Sequence, residues 1–70
     1  MYIYRFSNKH NNYMSGFWYF ISTSKEEAIK IAKKFQREYN KNKNDNYTVE
    51  FEAKPKEFEI KEGYIPLNRS

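Results

Sequence analysis

The spacing of hydrophobic residues changes along the chain from strand-like to helical and back. Residues 2–6 and 13–22 are rich in aromatic and β-branched side chains, which favours two strands of an antiparallel hairpin. Residues 47–53 and 57–61 alternate apolar with polar positions, so each pattern predicts a strand with one buried face. With a helix between the two pairs of strands, the predicted element order is β-β-α-β-β.

The segment between the second and third predicted strands has the period of an amphipathic helix. Ser24 is the predicted N-cap, and Glu27 three residues later completes a capping box. The asparagine-rich stretch after Asn40 predicts the end of the helix. The predicted apolar stripe consists of Ala28, Ile31, Ala32, Phe35 and Tyr39. We therefore predict an α+β fold in one domain, residues 1–70 with a C-terminal tail at 62–70, in which the helix packs on one face of a small antiparallel sheet.

The second predicted strand contains an uninterrupted apolar run, GFWYFI at residues 16–21, and one helix can cover only one of its faces. In one register Trp18 and Phe20 lie on the uncovered face. The opposite register exposes Phe17 and Tyr19 instead. The uncovered face can be filled by the C-terminal tail, by a protein interface with a partner or a second copy, or by stacked bases of a nucleic acid. Trp18 and Phe20 are accordingly candidate partner-binding residues, with Trp18 as the anchor.

The composition limits how so small a chain can be stabilised. A domain of 70 residues buries a small share of its surface, and such folds usually need an additional means of stabilisation. The chain has no cysteine and one histidine, so we expect no disulfide, no metal site and no cofactor. Dense aromatic packing and self-association remain as possible means of stabilisation. A homodimer is therefore one of the open alternatives.

Two absences in the sequence bear on location. No apolar stretch approaches the roughly 20 residues that cross a bilayer, and the N-terminus lacks the pattern of a secretory signal. We expect a cytoplasmic protein of the host cell, with no membrane partner.

The net charge of +4 is concentrated in residues 1–46, whereas residues 47–70 are slightly acidic. At about 100° per residue, five cations of the helix and its end cluster opposite the apolar stripe. They are Lys30, Lys33, Lys34, Arg37 and Lys41. These five are candidate partner-binding residues, for an acidic protein surface or for phosphates. A lysine-rich face that only serves solubility is the alternative, and the scarcity of arginine speaks against specific nucleic-acid recognition.

Catalytic machinery cannot be assembled from the sequence. The chain offers no cysteine nucleophile, no glycine-rich phosphate loop and no arrangement of serine, histidine and aspartate at a usable spacing. Two pairs of glutamates on the later strands have the spacing of solvated strand positions. We expect a non-enzymatic protein with no catalytic residues.

The N-terminal hairpin, the helix start STSKEEAIKIAKKF and the closing β segment resemble small proteins of phages and mobile elements. In particular, the element order is similar to that of β-β-α-β-β anti-CRISPR proteins that inhibit type I-F surveillance complexes. This resemblance implies an inhibitor of a host protein or ribonucleoprotein complex. It would act by occupying a nucleic-acid channel with basic side chains or by blocking a defence protein with a surface patch.

A second resemblance concerns the aromatic strand before TSKEEA, which looks like the N-terminal arm-DNA-binding domain of tyrosine recombinases. That domain ends at its helix, whereas this chain continues with further predicted sheet. The alternatives to an inhibitor are a nucleic-acid-binding module that uses the basic helix face and a self-assembling structural protein.

Overall fold

The computed structural model describes residues 1–61, in which three strands form one antiparallel sheet and one helix packs on it. The elements are β1 (Tyr2–Ser7), β2 (Phe17–Ser22), α1 (Lys25–Tyr39) and β3 (Lys56–Glu59). The strand order is β2-β1-β3. The predicted α+β class, with a small antiparallel sheet and one helix, is confirmed. The predicted C-terminal tail lies outside the described residues.

β1 is the central strand, and its neighbours lie on either side. β2 pairs with the whole of β1, from Tyr2 opposite Ser22 to Ser7 opposite Phe17. β3 pairs with the first four residues of β1. The strand predicted over residues 13–22 begins only at Phe17, since the residues before it form a turn in which the Asn12 side chain accepts a hydrogen bond from the Met14 N–H at 2.8 Å.

The helix begins and ends close to the predicted positions. The Ser24 hydroxyl accepts a hydrogen bond from the Glu27 backbone N–H at 3.2 Å, which confirms the predicted N-cap. Such a bond satisfies one of the free N–H groups of the first helical turn. Asn40 is the C-cap residue. The helix therefore follows from local signals that the sequence displays directly.

The core lies between α1 and the sheet face that carries Tyr4 and Phe6. Both of these side chains are buried, together with Ala28 and Ala32 of the helix. The two alanines let the helix lie close to the sheet, which leaves room for large aromatic rings around them. Phe20 meets Phe6 edge-to-face at 5.6 Å between ring centroids.

The assignment of Trp18 and Phe20 to an uncovered face is wrong. The Trp18 ring lies 5.6 Å from the rings of both Phe35 and Tyr39, and Phe20 lies 5.6 Å from Phe35. Trp18 pairs with Phe6 of β1, and Phe20 pairs with Tyr4. Both residues therefore lie on the sheet face under the helix, where they close the core on the side of β2. The alternative register, with Phe17 exposed, is the one that the structure has.

One position of the predicted apolar stripe is also wrong. Ile31 is 42% exposed, whereas Ile29 packs against the core. The two residues lie on opposite flanks of α1, about 200° apart. The flank of Ile29 faces Phe51, while the flank of Ile31 lies beside β2, which is an edge strand with no further strand beyond it.

The two strands predicted after the helix form one interrupted edge rather than two separate strands. Residues 48–52, here called the extended segment, do not form a regular strand. They make an isolated bridge, Asn8 with Phe51, flanked by two backbone hydrogen bonds, from the Glu52 N–H to the Ser7 carbonyl at 2.9 Å and from the Lys9 N–H to the Glu50 carbonyl at 2.7 Å. This segment and β3 both lie on the same side of β1, and the chain around Pro55 bulges out between them. The prediction of a strand over 47–53 is wrong for this reason, and the strand predicted over 57–61 is observed as Lys56–Glu59.

Side-chain amides at the end of the helix satisfy the backbone of the extended segment on the side away from β1. The Asn40 carboxamide donates to the Val49 carbonyl and accepts from the Val49 N–H, both at 2.8 Å. The Gln36 side chain accepts from the Phe51 N–H at 2.9 Å. Val49 is fully buried, so these bonds satisfy backbone groups that water does not reach. The end of the helix thus holds the segment against the core.

Candidate binding surfaces

Four of the five predicted cations lie on α1, and the fifth, Lys41, lies in the turn after its C-cap Asn40. We define the basic helix face as the exposed residues Lys30, Lys33, Lys34, Arg37 and Lys41. None of them makes an ion pair with another residue of the described chain. Their charges therefore remain available to a partner, and the i, i+4 pairs among them repel each other mildly.

The acidic side chains do not neutralise this face. Glu26 and Glu27 lie in the first turn of α1, where their negative charges interact favourably with the helix dipole. Glu50 contacts Lys9 at 3.8 Å and His10 at 3.7 Å, and it lines the same cleft as Lys33 and Arg37. Glu38 lies at i+4 from Lys34 on α1, so the charge of the helix is not uniformly positive.

A cleft of about 540 Å³ lies between α1 and residues 50–53. Phe6, Ile29 and Phe51 line it with apolar surface, and Lys33 and Arg37 line it from the helix. Glu50 and Glu52 line it from the opposite side. Part of the basic helix face therefore borders an apolar depression. The sequence does not reveal this cleft, because it exists only where residues 50–53 return alongside the helix.

Trp18 and Phe20 do not join the basic helix face. Both rings pack between the sheet and α1, and the Trp18 indole N–H donates to the Met14 carbonyl at 3.4 Å. Their side chains hold the helix on the sheet. A partner would have to displace the helix to use them as anchors.

The sheet face away from α1, here called the outer face, exposes large apolar side chains on β2. Phe17 and Ile21 are each 55% exposed, and Tyr19 is 41% exposed. The Arg5 guanidinium lies over the Phe17 ring at 4.2 Å and near the Phe58 ring at 5.6 Å. Such cation–π contacts hold the arginine flat against the aromatic surface. The apolar run of the sequence contains this signal, but its uniform composition does not tell which face is exposed.

A buried tyrosine is the most strongly perturbed titratable group of the described chain. Tyr4 is fully buried, and its hydroxyl donates to a Glu57 carboxylate oxygen at 2.7 Å. Burial, followed by the hydrogen bond and the charge of Glu57, raises the pKa of Tyr4 to about 12. The neutral phenol ties β1 to β3 and is a structural group rather than a general base at neutral pH.

Other kinds of site are not seen within residues 1–61. No group of three or more histidine, cysteine or acidic side chains is placed to hold a metal ion in this part of the chain. Its one helix is too short and too polar to cross a membrane.

Comparisons with known proteins add no relative. The chain matches no protein-family model, no curated protein and no solved structure. Functional conclusions therefore depend on the surfaces themselves.

Proposed function

We propose that this chain is a non-enzymatic binding protein whose basic helix face docks on an acidic surface of a host nucleic-acid defence complex and inhibits it. The observation that carries the proposal is the set of five exposed cations on one side of α1, none ion-paired within residues 1–61. The small size of the chain and the resemblance of its N-terminal hairpin and helix start to those of phage-encoded inhibitors support the choice of target.

The physical basis is charge complementarity. Unpaired lysines lose little when an acidic partner arrives, because no internal ion pair has to break first. Long-range attraction between opposite charges raises the association rate, and the effect weakens as salt shortens the Debye length. Binding through this surface should therefore weaken as the salt concentration increases.

The cleft beside the helix adds selectivity to this attraction. Lys33 and Arg37 border apolar surface contributed by Ile29 and Phe51. A partner segment with an acidic residue next to an apolar one matches both features when its acidic residue lies towards Lys33 and Arg37 and away from Glu50 and Glu52, which line the other side of the cleft. The apolar contact supplies affinity, whereas the charges orient the segment.

An interference assay tests the proposal. Bacteria that carry one RNA-guided defence system each are challenged with phage while they express this chain. We expect plaquing to recover for at least one system, and recovery for none would contradict the proposal. The Lys33→Glu/Arg37→Glu variant should fail to restore plaquing, whereas Lys43→Glu/Lys54→Glu, with the same change of net charge away from the helix face, should retain it.

The same unpaired cations favour a second candidate, a nucleic-acid-binding module. A face that neutralises five phosphates of a duplex predicts a slope of about −4.5 for log K against log salt. The Lys33→Glu/Arg37→Glu variant should reduce the magnitude of that slope by about 2, since each lost phosphate contact removes about 0.9. Absence of binding to single-stranded and duplex nucleic acid at about 50 mM salt would exclude this candidate.

A further inference from the structure

The free edge of β2 presents hydrogen-bonding groups that have no partner within residues 1–61. The Asn8 N–H donates to the Gly16 carbonyl at 3.2 Å, which shows that these two residues form a hydrogen-bonded pair in the register of β1 and β2. Hydrogen-bonded pairs alternate along an antiparallel ladder. Phe17, Tyr19 and Ile21 therefore direct their backbone N–H and C=O groups away from β1, towards the free edge.

The two edges of this sheet differ in how they are protected. β3 carries Lys56, Glu57 and Glu59, and Pro55 lies in the bulge before it, all of which discourage pairing with another strand. β2 has the sequence FWYFIS, with no charge and no proline in six residues. A hydrophobic edge strand without such devices is a template for a further strand.

We propose that β2 pairs antiparallel with β2 of a second copy of this chain, around a two-fold axis at Tyr19. In this register Phe17 of each copy lies opposite Ile21 of the other, and the two Tyr19 residues lie opposite each other. In each copy, the three residues whose backbone N–H and C=O groups point towards the free edge then all pair with the other copy. This pairing forms about six main-chain hydrogen bonds. The two sheets join into one six-stranded sheet, β3-β1-β2-β2-β1-β3.

The side chains at this edge suit a second copy. On the outer face, the exposed rings of Phe17 and Tyr19 would pack across the joint against Ile21 and Tyr19 of the other copy, and aromatic cross-strand pairs of this kind stabilise sheets. On the helix side, Ile31 is exposed on the flank of α1 beside β2. Because the axis is perpendicular to the sheet, the helix of the second copy lies on the same side and extends the layer that Ile31 borders.

Charge and size also favour a second copy as the occupant. Lys33 and Arg37 line the cleft on the flank of α1 opposite Ile31, so joining two copies at β2 does not bring these two cations together. An isologous interface needs only one self-complementary surface, which β2 provides. A chain of 70 residues without disulfides is of the size that association commonly stabilises. The dimer does not depend on the proposed inhibitory function.

Sedimentation equilibrium of the full chain tests the interface. We expect a monomer–dimer equilibrium, and Tyr19→Lys should weaken dimerisation at least about tenfold because it places like charges opposite each other. Tyr47 is a matched control, since it is 42% exposed and lies away from β2. Tyr47→Lys should change the dissociation constant by less than about twofold. A wild-type chain that is monomeric up to about 1 mM would overturn the proposal, as would growth beyond a dimer.

A crosslinking experiment tests the register and does not depend on the stability of the lysine variant. The chain has no cysteine, so Tyr19→Cys introduces one thiol per copy. Directly opposite residues of a hydrogen-bonded pair have Cα atoms about 5.5 Å apart, within the range of a disulfide. Mild oxidation should link Tyr19→Cys into dimers much faster than Tyr47→Cys. Equal rates for the two variants would contradict a two-fold axis at Tyr19.

Discussion

Replacement of Asn40 by alanine tests how the helix end holds the extended segment. The Asn40 side chain makes two hydrogen bonds of 2.8 Å to the N–H and the C=O of Val49, and Val49 is fully buried. Alanine removes both partners and leaves two backbone groups unsatisfied. Each buried group that loses its partner costs about 1 to 3 kcal/mol, so the loss of both should lower the free energy of unfolding of Asn40→Ala by about 2 to 6 kcal/mol.

This loss is large for so small a protein. A chain of 70 residues is expected to have a total stability of roughly 4 to 10 kcal/mol. Even the lower end, about 2 kcal/mol, corresponds to a decrease in Tm of roughly 8 to 16 °C for a domain of this size. The helical conformation at Asn40 has φ −77°, which alanine adopts without strain, so the cost reflects the lost hydrogen bonds.

Urea unfolding measures the effect. The fluorescence of Trp18, the single tryptophan, reports on the core because its ring contacts Tyr39 next to the mutated residue. Lys41→Ala is the matched control at the adjacent exposed position and should change stability by less than about 0.5 kcal/mol. An Asn40→Ala variant within about 0.5 kcal/mol of the wild type would refute the role assigned to this carboxamide.

Three further predictions concern single residues. Tyr4, with its pKa raised to about 12, should lose stability as the pH rises from about 10 to about 12, because the unfolded chain releases the phenolic proton near 10 while the folded chain keeps it. Tyr4→Phe should remove this part of the alkaline loss in urea unfolding at several pH values, and an unchanged pH dependence would contradict the assignment. Gly16 has φ 121° with open space around its Cα, so Gly16→Ala should cost about 1 to 3 kcal/mol through backbone strain alone, and a neutral Tm would contradict this. Ser24→Ala should cost about 1 kcal/mol by removing the N-cap, whereas Thr23→Ala should cost little, and equal Tm values for the two variants would argue against the cap.

The helix was predictable because its signals are local. The Ser24 cap and the apolar period occur within a few residues of one another, and tertiary packing did not override them. The second half of the predicted capping box is not observed, because the Ser24 N–H donates to the Ser22 hydroxyl instead of the Glu27 side chain. The basic helix face follows from the same period. The prediction that Ile31 is buried was wrong because Ile31 lies on the flank of α1 beside the edge strand β2. The helical period alone does not show where the sheet ends.

The register of β2 and the path of residues 48–53 could not be read in the same way. Both faces of β2 are apolar, so alternation does not distinguish the face that Trp18 occupies from the face of Tyr19. The extended segment alternates like a strand, but its second partner is a pair of side-chain amides, Asn40 and Gln36, on the helix. The cleft beside the basic helix face depends on this fold-back and was therefore missed.

The most direct test of the central claim is a binding titration with the defence complex that the interference assay identifies. Wild-type chain, Lys33→Glu/Arg37→Glu and Lys43→Glu/Lys54→Glu are compared at one salt concentration. Loss of two interfacial cations should raise the Kd of the first variant about 30-fold, equivalent to about 2 kcal/mol of binding free energy. The control should stay within about threefold of the wild type. Equal weakening of both variants, or of neither, would contradict docking through the basic helix face.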